Sequence, residues 1–209
     1  MNRILIVTAV EAEAAALRAG LPADRPHGVT VIAGGVGSAN AAAATSRALA
    51  LDPGFEAVIS AGIGGAFPGR AELGALLLAR RVVAADLGAQ SPGGFLSVDE
   101  LGFGSATAQA GRIPGLDAVV GAILTVNTAT GTDEHAAELM RRHPDAVGEA
   151  MEGYGVAAAA ALADQLPFAE VRAVSNLVGK RDRDSWRLDL AFRALTAAAL
   201  PIAEGLEAC

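Results

Sequence analysis

Short apolar runs alternate along the chain with stretches whose apolar residues return at helical spacing. Residues 3 to 9 predict a strand, and residues 11 to 19 an alanine-rich helix whose opening acids suit its positive end. Residues 29 to 33 predict a second strand, and Gly34-Gly35-Val36-Gly37-Ser38 turns the chain into a helix over 39 to 50. A third strand, 57 to 60, is expected to stop at Ala61-Gly62-Ile63-Gly64-Gly65-Ala66. Residues 74 to 86 read as a long apolar strand interrupted by Arg80-Arg81. The segment from 88 to 115 is rich in Gly, Pro and Ser and predicts a long loop with room for a short hairpin, of the kind that is usually functional or mobile. Beyond it come a strand at 122 to 127, a helix at 133 to 142, a short strand at 146 to 150 and a helix at 153 to 165. A strand at 168 to 174 and a closing helix from about 186 to 207 complete the pattern. Strands alternating with helices predict one α/β domain over residues 1 to 209, with a central twisted mixed sheet flanked by helices.

Composition narrows the class. With 209 residues there is ample chain for one large core. The hydrophobic content of 52% owes much to alanine, and no run of about 20 apolar residues lacks charge or Gly, which argues against a membrane span. The apolar residues 2 to 9 run directly into Glu11 and Glu13, unlike a secretory signal. One cysteine, Cys209, leaves no disulfide framework and no zinc cluster, a usage that fits a reducing cytoplasm. A net charge of -7 argues against nucleic acid, whose phosphates call for a basic face. His27, His135 and His143 lack metal-ligand spacing and are expected at the surface.

Three polar groups stand where apolar segments end. Asn176 closes Val171-Arg172-Ala173-Val174-Ser175-Asn176, before the charged loop Val178-Gly179-Lys180-Arg181-Asp182-Arg183-Asp184. Glu152 follows Glu149-Ala150-Met151, and Glu13 follows the first strand. Polar groups at the carboxyl ends of strands in an α/β sheet face the crevice where ligands bind. Each has a plainer reading. Glu13, or equally Glu11, would complement a helix dipole. Asn176 would cap the following loop, and a buried Glu152 would need a hydrogen-bonding partner in any event. The glycines at 34, 35 and 37 offer N–H groups to an anion, but they match neither a dinucleotide fingerprint nor a Walker motif. Gly62 to Gly65 would admit a flat ligand or simply pack tightly.

In this order the pieces resemble the nucleoside phosphorylase/hydrolase superfamily, in its methylthioadenosine/S-adenosylhomocysteine nucleosidase branch. They are Ala9-Val10-Glu11-Ala12-Glu13, Gly34-Gly35-Val36-Gly37, Ser60-Ala61-Gly62-Ile63-Gly64-Gly65, Glu149-Ala150-Met151-Glu152-Gly153 and Ser175-Asn176. The loop from Val178 to Trp186 resembles the hydrolases of the menaquinone route. The resemblance covers the whole chain and implies that Glu13 activates the attacking water. It also implies that Glu152 binds the ribose hydroxyls with Met151 against the sugar, and that Ile63, Gly64, Thr132 and Ser175 complete the nucleoside site. A small-molecule nucleoside substrate, no cofactor, no metal and a homo-oligomer (dimer or tetramer) are implied as well.

Asn176 departs from the branch, which places an aspartate there to protonate adenine. A 6-oxopurine presents two adjacent acceptors, N7 and O6, to which an amide can donate as charge builds on the leaving base. Asn is no general acid, so the departure favours hypoxanthine over adenine, and futalosine over aminodeoxyfutalosine or methylthioadenosine. A phosphorylase would surround its anion with arginines, and neither glycine turn contains one; Arg47 and Arg70 lie elsewhere. Hydrolysis is therefore expected. The carboxylated aromatic tail of futalosine calls for a cation and a flat surface, for which Lys180, Arg181, Arg183 and Trp186 are candidates, with Phe95 and Phe103 as covers. The alternatives are an adenine-directed nucleosidase, a purine nucleoside phosphorylase and a catalytically silent nucleoside-binding protein.

Overall fold

The computed structural model describes residues 3–22 and 28–205; His27 and Cys209 lie outside them. The central sheet begins with β1 (Ile4–Thr8), buried at every position, as a parallel strand covered on both faces must be. β2 (Val29–Ala33) and β3 (Ala57–Ala66) pair with it in parallel on either side. β3 also pairs in parallel with β10 (Phe168–Leu177), which lies antiparallel to β4 (Leu76–Ala84). From β4 the path continues in parallel through β8 (Val119–Thr125) to β9 (Ala146–Ala150), and β9 returns antiparallel to the far end of β3. The sheet is mixed, as predicted, and its path closes on itself through β3.

Alternation along β1 sorts the core into two layers. Ile4 and Ile6 face the layer of Leu17 from α1 (Glu11–Ala19) and Leu195 from α5 (Leu188–Glu204). Leu5 and Val7 face that of Leu49 from α2 (Ser38–Leu51) and Val156 from α4 (Gly153–Leu162). Burying each such side chain contributes roughly 1.5–3 kcal/mol. α3 (Asp133–Arg142) carries Leu139 against a third cluster around Leu124.

Several boundaries differ from expectation. β3 runs on through the glycines to Ala66, paired with β10 and β9, which come close enough that a Cβ at Gly64 would meet Glu149 O at 2.9 Å and one at Gly65 would meet Val178 Cγ2 at 2.8 Å. β10 likewise continues through Ser175 and Asn176 to Leu177. The Arg80-Arg81 interruption is an irregularity in the β4–β8 register between Ala79 and Arg81. The 88 to 115 segment contains a hairpin, β5 (Gly88–Ser91) with β6 (Gly94–Ser97), and a short strand β7 (Thr107–Gln109) on β4. A 3-10 turn, Arg183–Ser185, precedes α5, which starts at Leu188. His143 is half-buried rather than at the surface, and its Nε2 has no hydrogen-bond partner among the described residues. Burial, reinforced by Arg142 and Arg81, lowers its pKa to about 4.

Candidate functional site

At the carboxyl ends of β1, β9 and β10 a cavity of about 310 Å³ gathers Glu13, Glu152 and Asn176. Met151, Ile63, Gly64, Ser175, Arg181 and Trp186 line the same cavity. Thr132 does not. It is exposed, accepts a hydrogen bond from His135 N–H as the N-cap of α3, and lines a neighbouring cavity. Thr130, two residues earlier, takes the place in the lining that Thr132 was expected to hold.

Three backbone N–H groups hold Glu13. Ala9 N–H (2.9 Å) and Val10 N–H (3.1 Å) donate to Oε2, and Ile63 N–H (2.8 Å) donates to Oε1. Gly62 makes this possible, since a Cβ there would meet Glu13 Oε1 at 2.6 Å and Arg172 Nη1 at 2.9 Å. Glu11 faces outward and pairs with Arg18, which separates the two acids that sequence left equivalent.

Glu152 shows what the first glycine turn does: Gly37 N–H donates to Glu152 Oε1 at 3.1 Å. The anion held by that turn is thus a side chain of the protein itself. Met151 N–H (3.3 Å) and Arg172 Nη1 (3.1 Å) donate to Oε2.

Arg172 was not singled out from sequence. It is fully buried and also donates from Nε to Glu170 Oε1 (2.8 Å) and from Nη2 to Ser60 Oγ (2.8 Å). Burial alone would lower its pKa, but Glu170, Glu152 and Glu13 outweigh that and hold it above its usual value. Burial pushes Glu170 up, against the pull of Arg172, and its Oε2 has no hydrogen-bond partner among the described residues. The signal in the sequence was the alternation Glu170-Val171-Arg172, which puts opposite charges on one face of an otherwise apolar strand.

Glu149 was missed as well. It is buried in the cavity wall, where Thr130 N–H donates to Oε1 at 2.8 Å and the Thr130 hydroxyl to Oε2. Burial raises its pKa, opposed by those two donors.

Asn176 lies over Gly65, where a Cβ would meet its Nδ2 at 3.1 Å. The Ser175 hydroxyl donates to Asn176 Oδ1 (2.9 Å), and one amide proton goes to Leu177 O (3.1 Å). Beyond Asn176 the Arg181 guanidinium sits 5.5 Å from the Trp186 ring centroid at the mouth. Lys180 lines the cavity too, whereas Arg183, Phe95 and Phe103 do not. Phe95 packs under Arg142 and Phe103 is 83% exposed. Among the described residues, Lys180 and Arg181 are the only cationic ones in the lining, and no three His, Cys, Asp or Glu converge as a metal site.

The arrangement can grip a polyol, orient a water and donate to a base. A family model described as the phosphorylase superfamily matches residues 3–203. The chain belongs to the phosphorylase superfamily. Among members of this superfamily it is 44% identical to a futalosine hydrolase of Streptomyces coelicolor over 98% of this chain and 96% of the relative. A futalosine hydrolase of Thermus thermophilus is 36% identical over 78% of this chain and 76% of its own. In structure the chain resembles a methylthioadenosine/S-adenosylhomocysteine nucleosidase from Colwellia psychrerythraea, with a TM-score of 0.75 and 22% identity over 95% of this chain and 92% of that one. It also resembles the futalosine hydrolase of Helicobacter pylori, with a TM-score of 0.77 and 15% identity over 96% and 95%. These last two likenesses concern the fold.

Proposed function

We propose that this superfamily member is an N-ribosyl hydrolase that converts futalosine and water to hypoxanthine and dehypoxanthinyl futalosine. The observation that carries the reading is the meeting, in one cavity, of two backbone-clamped carboxylates with the neutral amide of Asn176. Relatives named futalosine hydrolase at up to 46% identity support it.

Glu152 accepts from the ribose hydroxyls, its orientation fixed by Gly37 and Arg172, while Met151 packs on the sugar. Glu13 accepts a proton from the attacking water, its free lone pairs aimed by the three N–H donors. The water oxygen bonds to the anomeric carbon as the carbon–N9 bond breaks, and the bonding pair leaves with the base. Asn176 Nδ2 donates to the N7/O6 edge, where that charge collects. With no acid at this position, the base takes its proton from solvent. Arg181 and Trp186 at the mouth, with Lys180, receive the carboxylated aromatic tail through charge and ring stacking.

Phosphate as nucleophile is disfavoured by the same geometry. The nearest buried cation, Arg172, has its guanidinium committed to Glu152, Glu170 and Ser60 and is absent from the lining. We further place the enzyme in the cytoplasm as a homo-oligomer (dimer or tetramer), a state that light scattering after size exclusion would measure. The function itself is tested with futalosine, aminodeoxyfutalosine, inosine and methylthioadenosine, with and without phosphate. Free hypoxanthine and a free sugar from futalosine are expected; a ribosyl 1-phosphate would defeat the hydrolase reading.

A further inference from the structure

The segment that carries Arg181 and Trp186 to the mouth of the cavity is pinned at its two ends. Where it continues β10, Val178 N–H donates to Ala66 O (2.8 Å), and just before α5 Arg187 N–H donates to Ser175 O (2.8 Å). Between these ends, Asp182 to Trp186 form a turn closed on itself. Asp184 N–H donates to Asp182 Oδ1 (3.1 Å), the Ser185 hydroxyl to Asp182 O (2.8 Å) and Trp186 N–H to Arg183 O (3.3 Å). Bonds inside a turn fix its shape and leave its place over the cavity open.

That place is set from the start of α3. Lys180 N–H donates to Asp133 Oδ1 (2.8 Å), and Arg181 N–H donates to Gly131 O (3.1 Å). Gly179 is shaped to the first of these bonds. Its φ of +147° suits a residue without a side chain, and a Cβ there would meet Asp133 Oδ1 at 2.5 Å. The backbone thus passes hard against the carboxylate. Asp133 itself is exposed and stands outside the cavity lining, whereas Gly179, Lys180, Arg181 and Trp186 belong to it. Any effect of Asp133 on a ligand therefore passes through the loop. A hydrogen bond to an ionised acceptor is the stronger kind, and exposed loops otherwise open at little cost.

We propose that Asp133 is a positioning residue: its carboxylate clasps Lys180 N–H across Gly179 and so sets Arg181 and Trp186 where the acidic aromatic tail of a nucleoside meets them. The inference rests on the tail-binding reading above and adds to it a residue outside the cavity that makes such binding possible.

Trp186 is the one tryptophan of the chain, so its fluorescence reports on the mouth with no ligand present. Acrylamide quenching should rise in Asp133→Ala and stay near wild type in Asp133→Asn, whose amide oxygen still accepts from Lys180 N–H. On futalosine, Asp133→Ala should raise KM about fivefold with kcat little changed, and Asp133→Asn should keep both. A merely structural Asp133 would lower kcat through loss of folded enzyme and leave KM and quenching as in wild type, which contradicts the proposal. If futalosine is hydrolysed and KM does not move, the clasp falls while the function stands. If the wild type leaves futalosine intact, the functional reading falls, and quenching alone decides the clasp. Should Asp133→Ala fail to fold, Gly179→Ala breaks the same contact from the loop side and should raise both KM and quenching; unmoved values there overturn the proposal.

Discussion

On the proposed reading the cavity has a sugar end and a base end, and the two are built on different principles. At the sugar end, three acids surround one arginine, and backbone N–H groups of both glycine turns fix Glu13 and Glu152. At the base end, Asn176 and Thr130 supply neutral groups, and Glu149 accepts from Thr130 and orients it. The sugar end would serve any nucleosidase, because every substrate brings the same hydroxyls and needs the same water. The base end is where one purine is chosen over another. Chemistry and selection are thus placed on different residues, which variants can separate.

The largest effect is expected at the buried charge cluster. Arg172→Met leaves Glu152 and Glu170 buried without a counter-charge and should cost about 3–5 kcal/mol of stability. Urea denaturation measures this. Adding Glu170→Leu should return part of the loss, because one orphaned charge is then gone. A single variant as stable as wild type would mean that the cluster does not organise the sugar end.

Next in size is Glu13→Gln, which should lower kcat by about 10² or more with KM little changed, as removing a general base does. Glu152→Gln should harm both parameters, since its grip on the hydroxyls acts before and during bond cleavage. Steady-state kinetics on futalosine distinguishes the two patterns. If both variants shift only KM, Glu13 is a binding group.

At the base end Asn176→Asp should shift the 6-oxo to 6-amino preference by roughly 1–3 kcal/mol toward the amino substrate. An ionised Asp opposes O6, whereas a protonated one serves adenine N7. The ratio of kcat/KM values is the readout, and an unmoved ratio would reduce Asn176 to a loop cap.

The smallest effect lies outside the site and serves as a control. His143 falls from 6.5 to about 4 on folding, so the folded state binds fewer protons than the unfolded one between those values. Its share of stability is complete above about pH 6.5 and is lost as the pH drops toward about 4. Glu149 and Glu170, with raised values, act with the opposite sign in the acid range. The difference between wild type and His143→Gln at pH 7 and pH 5 isolates the histidine, and activity at pH 7 should not follow it.

Much of this was legible in the sequence. Strand-end polar residues and apolar periodicity gave the mixed sheet, and the motif order brought Glu13, Glu152 and Asn176 together. What escaped was anything that depends on the approach of distant strands. The glycines at 62 to 65 looked like a stop, yet β3 continues through them, because a strand's end is set by its neighbours. Gly37 looked like a possible phosphate cradle, and its partner is Glu152, 115 residues away. Thr130 lines the cavity while Thr132, expected there, lines its neighbour, because the loop that carries both has no periodicity to set its register. Glu149 gives no signal of its own in the sequence, because its partner Thr130 lies on another strand's exit.

The most direct measurement of the division between the two ends is the wild-type ratio of kcat/KM for futalosine over aminodeoxyfutalosine in phosphate-free buffer. The two substrates present the same tail and the same sugar and differ at C6 and N1 of the base. With Asn176 donating to the N7/O6 edge, the ratio should favour futalosine by about tenfold or more, with hypoxanthine as the released base. A ratio near one, or one favouring the amino substrate, would contradict the account.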